Sequence, residues 1–541
     1  MSCNYLESAS SLERRLHLLR CPECRAAATA DRGLARGIER LRAEAAPEAG
    51  LARTLAAIGA APVARAPRSR KWKATFRRGL IPAGTTTALL AAGWLYYIDI
   101  NPTVKIPTPV MPSVNAFDFF RRARAAEQDV KVMGAIETNT PYKVRINVKN
   151  PQAGKPGQPS TISAEKSKSF SPDEVTHVIG ENREALALLR QGLDLPYQSP
   201  PIRSSSAQLP YFAEDRELAR VLSVEARVRE ARGDRMGAAN SRLDAMQLGA
   251  MIPHGSTLIG KLVGIACEAI GRAQLWRQVD ELSAPEARAA ARRMERIVQL
   301  HVPEADTLQE EAWFMQANLM EIFRYPRWRM STGLYNGEQN VLGANLSGMA
   351  FYARMLPYSK RRIMHDVTQF WNQNIRDARL PYCARKLTTP PGAENQEQAI
   401  SRNWDPLLDI LCPVFAQTGF ADTTCEVQDV LLMTMFALRA YHQEHHAYPE
   451  TLAALVPEYL SATPADPFVQ SQPLRYRRVA AKYLLYSVGP DGKDDGGKPI
   501  VSQFVIDRSW SVEKQVSMRY AIAPDSQGDI VAGVNTRTGG N

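Results

Sequence analysis

Residues 80–98 read LIPAGTTTALLAAGWLYYI, and the reading of this stretch divides the rest of the chain. It carries no charge over about 19 residues; at about 1.5 Å rise per residue a helix of that length spans roughly 28 Å, close to a bilayer core. Pro82 falls in the first turn, where its missing N–H costs little. Thr85, Thr86 and Thr87 keep the span only moderately apolar. Trp94, Tyr96 and Tyr97 gather at the far end, as amphipathic rings do at a membrane interface. Arg68, Arg70, Lys71, Lys73, Arg77 and Arg78 precede the span with no acidic residue among them. That asymmetry predicts a single transmembrane helix with a cytoplasmic N-terminus and the bulk of the chain extracytoplasmic, attached to the cell membrane. The length of chain ahead of the span argues against a cleaved signal peptide.

The 541 residues, 45% of them hydrophobic, suffice for several domains with real cores. The net charge of +11 is concentrated before residue 80, where it suits the anionic headgroups of membrane lipid, and the remainder is nearly balanced. No basic patch accompanies a recognisable reading element, so direct nucleic-acid binding is not predicted. The cysteines divide at the same point. Cys3, Cys21 and Cys24 precede the span on the reducing side; Cys267, Cys383, Cys412 and Cys425 follow it. Cys412 and Cys425 are spaced for a loop-closing disulfide, although four cysteines allow three pairings.

Residues 10–20 read as a short helix, with Ser10 and Glu13 at capping-box spacing and Leu12, Leu16 and Leu19 on one face. The helix ends in His17-Leu-Leu-Arg-Cys21-Pro-Glu-Cys24. A C-x2-C knuckle lets two thiolates reach one tetrahedral ion, and Pro22 suits the first turn of the next helix. His17 lies about one helical turn before Cys21, within reach of the same ion, and Cys3 would complete a Zn2+ site of three cysteines and one histidine. The H-x3-C-x2-C pattern followed by one membrane span resembles the zinc-binding anti-sigma factor family. The resemblance covers residues 1–60 and implies a cytoplasmic module that grips a sigma factor, with an external domain governing its release.

Residues 61–79 form a basic juxtamembrane linker. Beyond the span, 99–172 is predicted to be a stalk and mobile loop. Pro102, Pro107, Pro109 and Pro112 hold its start extended, residues 115–129 look helical, Tyr142 to Lys149 alternates like a strand, and 151–171 is rich in Gly, Pro, Ser and Lys. Residues 173–425 form an external helical domain. Leu218, Val221, Val224 and Val228, then Leu258, Leu262 and Ile265, mark apolar faces, with breaks at Gly233-Asp234 and Pro253-His254-Gly255. The piece ARVREARGDRMGAANSRLDAMQLG looks like one tetratricopeptide-type helical pair, but one copy is not an array, so a bundle is predicted.

Residues 426–510 change character. A helix over 427–446 is followed by strand candidates at 474–478 and 483–488, then by the loop Gly489-Pro-Asp491-Gly-Lys-Asp494-Asp495-Gly-Gly497. Carboxylates among glycines can converge on a hard cation. This order resembles the head domain of type II secretion G-type major pseudopilins, which implies a small α+β domain with Ca2+ held by Asp491 and one of Asp494 or Asp495, with Ser487 nearby. Residues 511–541 form a tail. The fold expected is therefore multi-domain and mainly α: a zinc module, one transmembrane helix, an external helical bundle and a small pseudopilin-like domain.

No P-loop, dinucleotide fingerprint, nucleophile elbow or HExxH is present, and the chain does not read as an enzyme. His442, His445 and His446 read as a polar helix end. The sequence predicts a membrane regulator that couples an external domain to a cytoplasmic zinc module and a sigma factor. The competing expectation is an envelope scaffold or secretion-associated structural protein, with envelope protein partners and a vestigial zinc module.

Overall fold

The computed structural model describes residues 100–128, 130–137, 142–149, 161–204, 211–324, 359–388, 415–470, 472–502, 515 and 518–538. The zinc-site residues Cys3, His17, Cys21 and Cys24, the span at 80–98 and Cys412 lie outside the described residues. Among the described residues no helix is long and apolar enough to cross a membrane.

The described chain is mainly helical. In order it forms α1 (Ala116–Ala126), α2 (Val130–Glu137), β1 (Tyr142–Lys149), β2 (Thr161–Lys168), α3 (Pro172–Glu181), α4 (Arg183–Leu193), α5 (Tyr211–Ala231), α6 (Arg235–Met251), α7 (Leu258–Gln278), α8 (Ala284–Gln299), α9 (Glu304–Ile322), α10 (Lys360–Ala378), α11 (Tyr382–Thr388), α12 (Phe415–His445), β3 (Arg475–Val479), β4 (Lys482–Ser487) and β5 (Ile530–Val531). The expected break at Gly233-Asp234 separates α5 from α6: Gly233 takes a φ of 79°, and Asp234 caps α6 by accepting from Gly237 N at 2.9 Å. The small residues of this stretch serve the crossing of α6 with α7. A Cβ added at Gly249 would come within 2.5 Å of the Gly264 carbonyl oxygen, and one at Gly271 within 2.5 Å of that of Arg242. Only glycine lets the two backbones approach this closely.

Two expectations about 99–172 change. The proline-rich start is seated on the helical body rather than standing free. Val104 packs against the core of α9 and α10, its N–H meets Met320 Sδ at 3.5 Å, and Lys360 Nζ donates to Asn101 Oδ1 at 2.9 Å. The prolines keep the segment extended, and the extended backbone lies against α9 and the start of α10 instead of away from them. The stretch read as mobile loop contains β2, which pairs antiparallel with β1 from Tyr142↔Lys168 to Lys149↔Thr161. Thr161-Ile-Ser-Ala-Glu-Lys-Ser-Lys alternates, but with so few large apolar residues that composition hid the strand.

At the C-terminal end β3 and β4 fall within a residue of the two strand candidates, but the antiparallel sheet of order β3-β4-β5 has a third strand, β5, in the stretch expected to be a tail. The helix before them is longer than its apolar face suggests. At 31 residues, α12 begins upstream of the expected domain border at 425/426. It packs on α7 and α8, and a single core runs from Leu243, Met246 and Leu275 through Val427, Leu431 and Phe436 to Leu485, Ile500 and Ile530. The helical body and the small sheet therefore share one apolar interior.

Candidate functional site

The α7–α12 contact is apolar except for one stripe of charge. Helical spacing brings Lys261, Glu268 and Arg272 to one face of α7, and Asp422, Cys425 and Asp429 to the facing side of α12. Each is buried or nearly so; Asp429 is 0% exposed, and Glu268 and Arg272 are 3% exposed. Between the two helices enters His301, from the short connection joining α8 to α9. The neighbours of His301 hold it in place. His254 Nε2 meets the Leu300 carbonyl at 2.8 Å, and Lys261 Nζ donates to the Val302 carbonyl at 2.7 Å while pairing with Asp422 at 2.7 Å.

His301 Nε2 then stands 2.8 Å from Glu268 Oε2 and 3.3 Å from Asp429 Oδ2. Arg272 binds the other oxygen of Asp429, Oδ1, and also reaches Cys425 Sγ, from Nη1 at 3.5 Å and Nη2 at 3.6 Å. Cys425 Sγ lies 3.6 Å from Glu268 Oε2. One imidazole N–H cannot serve two carboxylates equally, and Asp429 Oδ2 is left buried without a hydrogen bond of acceptable geometry. The ligand atoms of Glu268, His301 and Asp429 all lie within 4.8 Å of one another, so these residues could hold a metal ion or share protons.

The electrostatics follow from burial set against close opposite charge. Burial raises the Glu268 carboxyl to about 7, with His301 opposing and Asp429 adding to the rise. Burial would raise Asp429 as well, but Arg272 and His301 outweigh it and bring its carboxyl below the ordinary value. Burial disfavours a charged His301; Glu268 and Asp429 more than offset this and lift it well above the ordinary imidazole value. Asp429 is thus the ionised partner of Arg272.

The residues expected to hold calcium are arranged differently. Ser487 is buried; its Oγ donates to Asp466 Oδ1 at 2.7 Å and accepts from Gly489 N. Asp491 Oδ1 accepts from Lys493 N at 3.1 Å. Asp494 accepts from Tyr486 Oη at 2.9 Å, Gly496 N at 3.0 Å and Arg475 Nε at 3.0 Å. The Asp495 carboxylate is exposed, while its N–H and that of Gly497 donate to Asp529. Asp491, Asp494 and Asp495 do not gather their oxygens around one point, because backbone N–H groups, Tyr486 and Arg475 draw them apart. Asp466 and Asp529, neither of them among the expected calcium ligands, are the buried carboxylates that organise this region. Asp466 also accepts from Val488 N and Phe468 N.

Among the described cysteines Cys267, Cys383 and Cys425 are free thiols, and Cys425 serves the charged stripe; Cys412, its candidate disulfide partner, lies outside the described residues. At the end of α12, His442 stacks on Tyr448 with ring centroids 4.4 Å apart, and His445 lies against Tyr441 at 4.2 Å. These histidines pack on tyrosine rings. Nothing local in the sequence marks the Glu268–His301–Asp429 group: Glu268 and His301 are 33 positions apart, and Arg272 and Asp429 are 157 apart. The available signal was weak, namely charged residues interrupting the apolar faces of α7 and α12. Comparisons with protein-family models, with curated proteins and with solved structures find no match to this chain.

Proposed function

We propose that this chain is a single-pass membrane regulator of the anti-sigma type. In this reading the span at 80–98 joins a cytoplasmic zinc module, with His17, Cys21, Cys24 and Cys3 as ligands, to an extracytoplasmic helical body. The observation that carries the reading is the seating of 101–109. A signal generated in a domain on a loose tether would be absorbed by the tether. Here Asn101 is tied to Lys360 at the start of α10, and Val104 to Met320 on α9, within a few residues of the end of the apolar span. In this reading a displacement of α9 against α10 would reach the span through only these few residues. The basic flank and the thiol knuckle ahead of the span supply the rest of the argument.

The test is recovery of the full-length tagged chain from bacterial membranes in mild detergent, with the co-purifying proteins identified and the metal measured in the same sample. A sigma factor and zinc should accompany the native chain, and both should be lost on Cys21→Ala with Cys24→Ala. A native chain that carries zinc-free cysteines and no sigma factor would overturn the reading. The envelope scaffold would then stand in its place, favoured by the continuous core that joins the helical body to the sheet.

A further inference from the structure

We infer that Glu268, His301 and Asp429 form a buried binding site for a divalent transition metal of the zinc class. The site is independent of the thiol knuckle near the N-terminus and of any sigma factor. The donor set is one imidazole nitrogen and two carboxylate oxygens, a combination that suits zinc, cobalt, manganese and ferrous iron better than calcium or magnesium. The spacing fits as well. A tetrahedral ion with bonds of about 2.0–2.1 Å keeps its ligand atoms roughly 3.3 Å apart. The Nε2 to Oδ2 separation of 3.3 Å is already that of a tetrahedral edge, and the Nε2 to Oε2 separation of 2.8 Å asks for a small displacement of Glu268.

A second observation points to a ligand. Asp429 Oδ2 is wholly buried and faces His301 Nε2 at 3.3 Å, an ion-pair contact without hydrogen-bond geometry, which leaves a carboxylate oxygen under-satisfied away from water. Its companion oxygen is held by Arg272, so the free oxygen is fixed in direction, as groups behind a metal ligand fix it. His301 is fixed likewise, through the clamped carbonyls on either side of it. Cys425 Sγ stands 3.6 Å from Glu268 Oε2 but falls outside the group whose ligand atoms lie within 4.8 Å of one another, so the fourth position is left to a solvent ligand.

Charge is consistent with a divalent ion: Glu268 and Asp429 supply two negative charges, the imidazole binds as a neutral ligand, and a hydroxide at the open position would offset Arg272. No electron moves. The ligands belong to α7, the α8–α9 connection and α12, so the ion would fasten the helical body to the helix that carries the C-terminal sheet.

The test uses the full-length chain in detergent with Cys21→Ala and Cys24→Ala, which removes the thiol knuckle, after treatment with a chelator. Cobalt(II) is titrated in and its d–d absorption recorded, with zinc as competitor. One cobalt per chain is expected, in a low-symmetry nitrogen–oxygen environment and displaced by zinc. Affinity should fall about tenfold or more in Glu268→Gln and in His301→Gln. Because a buried variant can fail to fold, the parent protein provides its own readout: zinc should raise its melting temperature and release protons. A parent that binds no cobalt and shows no thermal shift with zinc would overturn the inference. So would folded variants, checked by circular dichroism, that bind cobalt as the parent does.

Discussion

Two acidic regions of this molecule look alike in composition and differ in construction. In the 489–497 loop, Asp491, Asp494 and Asp495 crowd into one turn among glycines, and each side chain meets partners nearby or solvent. In the α7–α12 stripe, Glu268 and Asp429 come from helices far apart in sequence and face a histidine and an arginine with almost no water. Density of carboxylates along the chain is therefore a poor guide to where an unsatisfied carboxylate ends up. In the loop, backbone N–H groups are abundant and satisfy the aspartates. Between two helices the backbone is already paired with itself, so buried carboxylates depend on side chains from elsewhere.

The sharpest way to break this contrast is to remove one charge from the stripe. Asp429→Ala should cost about 3–5 kcal/mol, because Arg272 and His301 would remain buried with their counter-charge gone. The shift of the urea midpoint measures it. A loss no larger than that of Asp494→Ala would show that the stripe is as forgiving as the loop.

Asp466→Ala should have the next largest effect. Asp466 is the carboxylate of the C-terminal region most like those of the stripe: 0% exposed, it accepts from Ser487 Oγ, Val488 N and Phe468 N. Stranding these donors predicts a loss of about 2–4 kcal/mol, at roughly 1–3 kcal/mol for each group left buried and unpaired, reduced by relaxation. A midpoint within error of the parent would mean that water replaces the carboxylate, and that this region opens more readily than its burial suggests.

A smaller effect separates Asp466 from Asp494 by pH. The Gly496 N–H, with further help from Tyr486 and Arg475, holds the Asp494 carboxyl below its ordinary value of 3.8. Its contribution to stability is present above that value and is lost as pH falls through the folded-state value. Burial raises Asp466 above 3.8 despite its three donors. The contribution tied to its extra proton is full below 3.8 and declines as pH rises through the folded-state value. Melting temperature followed from pH 7 into acid should therefore drop less in Asp494→Asn than in the parent. In Asp466→Asn, by contrast, the difference from the parent should widen toward low pH. The same sign in both variants would remove the distinction between a carboxylate held by donors and one held by burial.

The sequence made the periodic elements legible and the long-range ones not. The break at Gly233-Asp234 and the strands around Tyr476 and Leu485 could be read because turn chemistry and apolar spacing are local. β2 was hidden because its alternation carries a single large apolar residue, Ile162. The candidate site was hidden for a stronger reason. Glu268, His301 and Asp429 are unremarkable in their own neighbourhoods, and the packing of α7 on α12 with the two clamped carbonyls beside His301 brings them together.

The smallest effect is the one the loop's composition would have made the largest. Were Asp491, Asp494 and Asp495 a formed calcium site, calcium at a hundredfold above its dissociation constant would add about 2.7 kcal/mol to stability. The observed partners oppose this: Arg475 would have to leave Asp494, and Lys493 N would have to release Asp491. Millimolar calcium should therefore leave the melting temperature unchanged, and Asp491→Ala should shift stability by no more than about 0.5 kcal/mol. A calcium-induced rise in melting temperature that Asp491→Ala and Asp494→Ala each abolish would mean that the loop rebuilds itself around the ion. In that case the two regions would differ in how readily their carboxylates can be redirected, since Arg475 is held at the surface and Arg272 is enclosed on every side.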